Sequence, residues 1–175
     1  GTSLGTGSTY TVDSSDVDVN DYITCTATVI DAVGSTAISS AFVTVSNSAP
    51  VFSSAAQIYP SSDVKTGTLL VCFSTATDAD DGDLTETYVW SVGSTTISTS
   101  NVYQVSMTDT DPGDTLTCTA TGTDTNGASI TSTASVSVGN TDPVISGISL
   151  NPSSGIYNDT TIECSASVTD PDETL

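Results

Sequence analysis

The chain reads as all-β, a tandem series of β-sandwich repeats of about 93 residues per unit, on three observations. The first is internal repetition. Tyr10 recurs at Tyr103, Cys25 at Cys118, Val43 at Val136, Asn47 at Asn140 and Pro50 at Pro143, each pair 93 residues apart. The strings ITCTAT (23–28) and LTCTAT (116–121) share that register. Cys72 recurs at Cys164 and Asp78 at Asp170 with a step of 92, which one deletion explains. A period this long is a domain, since solenoid coils and propeller blades repeat at about 20–50 residues. The second observation is alternation: runs of Thr, Val, Ile and Tyr have a period of two and are broken by turn residues. The third is composition. Roughly a third of the chain is Ser or Thr, Leu is scarce, and no segment carries a helical apolar stripe.

One complete unit spans residues 47–140. Its first strand is expected at 51–58, ended by Tyr59-Pro60-Ser61, because proline cannot donate to a sheet ladder. The second, 68–77, places Leu70, Cys72, Ser74 and Ala76 on one face. The third, 87–92, groups Tyr88, Trp90 and Val92 and stops at the Gly93-Ser94 turn. Short strands at 95–99 and 102–107 follow. Residues 115–123 align Leu116, Cys118 and Ala120, and 129–138 alternate Ile130, Ala134, Val136 and Val138 with Ser and Thr. Seven such strands make a sandwich.

The flanks are incomplete units. Residues 1–46 correspond to the strands after the Trp-bearing one, and 141–175 to the first two strands of a following repeat. Gly1 falls inside a repeat, as expected of a fragment or processed product. Two full periods exceed the chain by 11 residues, which are the third strand with its Trp. Two readings stay open. The chain is a cut from a longer array, or subunits polymerise by complementing split units, with Cys164 pairing Cys25 of the next subunit. Loss of the Trp-bearing strand weighs against the second.

Net charge is −20, from 21 acids against the single base Lys65, with no Arg and no His. Most catalytic vocabulary is thereby missing: no imidazole base or ligand, and no guanidinium clamp. Enzymatic activity is not expected. Nucleic acid and anionic membranes would repel this surface, and no apolar run is long enough to span a bilayer. Only 13% of residues are charged, so the acids form clusters between nearly charge-free strands and not a disordered polyelectrolyte. Four cysteines at repeat-locked positions suggest an oxidising, extracellular or cell-surface setting.

Cys72, Trp90 and Cys118 follow one another in the order seen in immunoglobulin-like domains. With the string Tyr88-Val89-Trp90-Ser91-Val92-Gly93 and the linker Asn140-Thr141-Asp142-Pro143-Val144, the chain resembles tandem immunoglobulin-like, PKD-like and cadherin-like repeats of bacterial and archaeal surface proteins. The resemblance implies a Cys72–Cys118 disulfide between the two sheets with Trp90 packed on it, and partners outside this segment for Cys25 and Cys164. Two free buried thiols are the alternative, as Cys also packs as a small hydrophobe. Zinc is disfavoured without His or a CxxC pair. The chain departs from the family where a tyrosine is expected two residues before the second Cys: Ile23 and Leu116 stand there. The PKD-type WDFGDG string is absent as well.

The acids gather in three places per repeat. One loop has Asp78, Asp80, Asp81 and Asp83, echoed by Asp170, Asp172 and Glu173. A second has Asp109, Asp111 and Asp114, echoed by Asp13, Asp16, Asp18 and Asp21. The linkers and the last hairpin add Asn47, Asn140, Asp142, Asp124 and Asn126. In an immunoglobulin-like sandwich the second loop of one unit faces the first loop of the next. Asp16, Asp18 and Asp21 are therefore expected near Asn47 and 78–83, and Asp109, Asp111 and Asp114 near Asp142, Asp170 and Asp172. Such a cluster repels itself unless a hard cation sits among its oxygens, and outside a cell that ion is Ca²⁺. Good turn formation and solubility are the competing account of these residues. A paired-carboxylate glycosidase site lacks an apolar pocket for its acid. Asn158 begins the only N-x-S/T sequon.

The function expected is a structural extracellular repeat protein, a rigid surface stalk or filament whose neighbours are copies of the same repeat or subunit. The alternative is an adhesive module of a large adhesin or secreted enzyme that binds a glycan or protein.

Overall fold

The computed structural model describes residues 1–173. It is all-β: no helix occurs among the described residues, and the strands pair antiparallel. The chain gathers into two compact units. The first holds 1–54, 75–86 and 122–130, and the second holds 55–74, 87–121 and the chain from Thr131 onward.

A hairpin of β1 (Tyr22–Ile30) and β2 (Thr36–Thr44) lies in the first unit. β3 (Val51–Tyr59), β4 (Leu69–Asp78) and β5 (Gly82–Asp83) follow in one sheet, with β8 (Val102–Gln104) also paired to β4. A second sheet has the order β10-β9-β6-β7, from β6 (Thr87–Val92), β7 (Thr95–Ser98), β9 (Thr115–Thr123) and β10 (Ser129–Ser137). β11 (Val144–Asn151) and β12 (Glu163–Thr169) form a last hairpin in the second unit.

Period-2 alternation becomes burial wherever strands have a partner face. β9 alternates buried and half-buried residues, with Leu116, Cys118 and Ala120 inward as expected. Its bounds and those of β6 match the expected 115–123 and 87–92. The strand expected at 102–107 ends at Gln104. Val105 still exchanges bonds with the 67–68 backbone, but the Ser106 carbonyl accepts from Asp109 and Thr110 and curls the chain into a turn. β5 has no counterpart among the expected strands, because a two-residue strand is too short for alternation to register.

In the second unit the core is built on Leu70, Cys72, Trp90, Val105, Leu116 and Cys118, all but sealed from solvent. Cys72 and Cys118 form a disulfide that joins β4 to β9, and so one sheet to the other. Free buried thiols at these positions are thus excluded. Trp90 sits opposite Cys118 in the β6–β9 register and lies 5.9 Å from the Tyr103 ring. Its indole N–H is buried without an acceptor.

The 93-residue step also appears in the hydrogen bonds. Asn20 N–H donates to the Val45 carbonyl as Gly113 N–H does to Val138, and Tyr10 O–H donates to Asp16 as Tyr103 O–H does to Asp109. Asp31 and Asp124 close the β1–β2 and β9–β10 turns alike, each carboxylate accepting two backbone N–H groups ahead of it. With the step of 92, the turn in which Lys65 N–H donates to Thr68 Oγ1 recurs at Tyr157 and Thr160. These side chains satisfy turn groups that no strand can reach.

Candidate junction site

In the first unit the linker is tied down by the loop after β4. Ser48 N–H donates to Asp80 Oδ2 at 2.6 Å, and the Asp80 and Asp81 amides donate to Asp78 Oδ1. Asn47 Nδ2 donates to the Ser48 carbonyl and, at 2.9 Å, to Asp124 Oδ2. Two acceptors on that nitrogen fix the amide orientation, so the oxygen faces the other way. Asn47 Oδ1 is buried with no donor, and so is Asp78 Oδ2. Asp78 itself is 6% exposed. Buried acceptors without a partner are costly, about 1–3 kcal/mol each and more when charged. Two of them therefore lie in one hydrogen-bonded chain, from Asn47 through Ser48 and Asp80 to Asp78.

Beside this chain is a cleft of about 200 Å³ lined by Val17, Asp18, Val19, Asp80, Asp81, Thr125 and Asn126. It brings the expected Asp18 to the expected Asp80 and Asp81. Thr125 joins them without having been marked by the acidic pattern: its amide and hydroxyl both bond the Asp81 carboxylate. Its place in the Asp124-Thr125-Asn126-Gly127 turn is the signal that could have found it. The Asp124 carboxyl is held below the usual carboxylate range. Its bond from Asn47 is the main cause, then the Ala128, Asn126 and Gly127 amides, against the opposing effect of burial.

Asp16 and Asp21 stay in their own loop, where Asp16 accepts from Tyr10 and Asp21 from the Asp18 amide. Asp83 is exposed in β5. Among the described residues no three acidic or thiol side chains converge closely enough to hold a metal ion.

The second unit repeats the linker tie. Asp172 accepts from the Thr141 amide and hydroxyl, its own amide donates to Asp170 Oδ1, and Asn140 Nδ2 donates to the Thr141 carbonyl. These are the Asp80, Ser48, Asp78 and Asn47 contacts one repeat on. The Asp172 carboxyl is also held low. The Thr66 hydroxyl beside it is the chief cause, although that hydroxyl stops short of strict hydrogen-bond geometry, and the Thr141 amide adds to it. Burial opposes the shift, and Lys65 assists it. Asp109 and Asp114 are engaged locally, accepting from Tyr103 and from the Asp111 amide. Desolvation, and then the Asp109 bond, push the Tyr103 phenol up to about 12. Asp142 and Asn158 are exposed.

Cys25 and Cys164 are free and exposed. No helix among the described residues is long and apolar enough to cross a membrane. Compared with protein-family models and with curated proteins, the chain matches none.

Proposed function

We propose that the chain is a structural extracellular repeat protein, a segment of a rigid surface stalk or filament made of tandem immunoglobulin-like modules. Each module is stapled by a disulfide, and each junction is stiffened by its acidic loop and by Ca²⁺. The observation that carries this reading is the recurring linker tie, Asp80 to Ser48 and Asp172 to Thr141. A side chain that grips the linker backbone removes the freedom a short connection would otherwise keep. A linker meant to flex would not be gripped twice in the same way.

The cation enters through the donor set. Asn47 Oδ1 and Asp78 Oδ2 are buried oxygens without donors, on residues linked through Ser48 and Asp80, and Asp80 lines the cleft with Asp18 and Asp81. Hard oxygen ligands of this kind, from both sides of a linker, suit calcium better than zinc or copper. Asp18, Asp78 and Asp80 do not converge in the unbound chain, so binding would draw them together with Asn47 around the ion. When bound, calcium supplies the positive charge that this surface lacks. Asp124 stands apart from the ligands, since Asn47 and the turn amides saturate it and it orients Asn47.

The test is calorimetry on the whole chain with CaCl₂, set against MgCl₂ and chelator, with X-ray scattering in parallel. Binding at about 10⁻⁴–10⁻³ M is expected, the range of extracellular modules. Asp78→Asn should weaken it about tenfold, the loss of ~1.4 kcal/mol. Absence of heat, with maximum dimensions unchanged by chelator, would leave the acids as turn and solubility residues.

A further inference from the structure

We propose that the Asp142–Pro143 bond, in the second linker, is a built-in breaking point at which weak acid severs the complete repeat from the segment after it. The inference needs neither calcium nor a partner chain.

The two linkers align as Asn47-Ser48-Ala49-Pro50 and Asn140-Thr141-Asp142-Pro143, so an aspartate stands where the first linker has alanine. Asp142 is exposed, and its carboxyl accepts no hydrogen bond among the described residues. The exposure belongs to the position itself, since Ala49 is exposed as well, ahead of a complete repeat. The charged groups gathered about this linker are Asp172, which accepts from Thr141, Asp170, which accepts from the Asp172 amide, and Lys65, whose side chain lies beside Gly139. None of them bonds the Asp142 carboxyl.

Proline makes this bond the weak one. Its nitrogen belongs to a tertiary amide without an N–H and leaves as a basic secondary amine. The Asp142 carboxylate oxygen attacks its own main-chain carbonyl carbon. The C–N bond to Pro143 breaks as that nitrogen takes a proton from the acidic solvent, and a five-membered cyclic anhydride remains. Water opens the anhydride, so one water is consumed and residue 142 ends with two carboxyl groups. Ala49 has no carboxyl, and the first linker cannot follow this route.

Two other Asp–Pro bonds, 111–112 and 170–171, are held back by their surroundings. Asp111 donates its amide to the Asp114 carboxylate, and its carbonyl accepts from the Asp114 amide, which fixes the peptide group to be attacked. Asp170 Oδ1 is occupied by the Asp172 amide. A cut at 111–112 would in any case free nothing, because the Cys72–Cys118 disulfide joins the two pieces. The cut after Asp142 parts one module from the next.

The whole chain is held in chelator near pH 4, where an ordinary aspartate is about half ionised, and sampled by mass spectrometry with and without reductant. Trp90 emission follows the core throughout. Release of the piece beginning at Pro143 is expected about tenfold faster than scission at 111–112 or 170–171, the ratio that one extra hydrogen bond to break sets. In urea the three rates should converge. Asp142→Ala should abolish the release, and Ala49→Asp should add a cut after residue 49. A chain left whole while the urea sample is cut, equal rates at the three bonds in native buffer, or release that persists in Asp142→Ala would overturn the proposal.

Discussion

Replacing Cys72 and Cys118 together by alanine tests how much of this protein is held by its staple. The two residues are 46 apart in sequence. Closing a loop of that length in the unfolded chain corresponds to about 4 kcal/mol by the chain-entropy relation. Small domains have a total stability of about 5–15 kcal/mol, and the buried side chains of this one include several Ala and Val. A loss of that size lowers the melting midpoint of a domain of this length by about 15–30 °C. Trp90 is the only tryptophan, is fully buried, and faces Cys118 across the β6–β9 ladder, so its emission reports on this core alone. Thermal unfolding followed by that emission, for wild type and the double variant, gives the number directly. A shift below about 5 °C would refute the reasoning and assign the stability to packing.

Other perturbations follow from single contacts. Gly122→Ala places a methyl 2.8 Å from the Ala76 Cβ; this overpacking should cost about 1–3 kcal/mol in a denaturant titration. The Tyr103 phenol, pushed up to about 12, favours the folded state while it is protonated. That contribution is complete below the unfolded value near 10 and disappears as pH rises towards 12, so stability should fall across that window, and less so in Tyr103→Phe. Absorbance titration of the native protein checks the midpoint. Asn47→Ala removes the main cause of the depressed Asp124 carboxyl, so its titration by NMR should move up towards 3.8. In wild type the Asp124 contribution is present above 3.8 and is lost as pH falls through the lower folded value, so the variant should be less sensitive to acid there.

The strands are legible in the sequence because alternation is a local signal that burial then enforces: β6 and β9 end where Thr and Val patterns end. The end of β8 is not legible. Ser106 and Thr108 look compatible with a strand, and only the turn bonds to Asp109 and Thr110 stop it. At the junction, sequence can bring Asp18 to Asp80 and Asp81, because a repeat fixes which loop follows which. It cannot show that Asp16, Asp21, Asp109 and Asp114 turn to their own loops, nor that Thr125 takes both oxygens of Asp81. Those choices depend on side-chain geometry within a few ångströms, which composition does not carry.

The turn at Lys65 has a consequence for resistance to proteolysis. Proteases that cut after basic residues find one target in 175 residues, the Lys65–Thr66 bond. Exposed turns are ordinarily where nicking begins. Here the bond lies in a turn closed on both sides, with Lys65 N–H on the Thr68 hydroxyl and Thr68 N–H on the Lys65 carbonyl. A protease cleft takes its substrate extended, so both bonds must open before cutting. In the matching turn Tyr157 stands in place of lysine, and that turn offers such a protease no target.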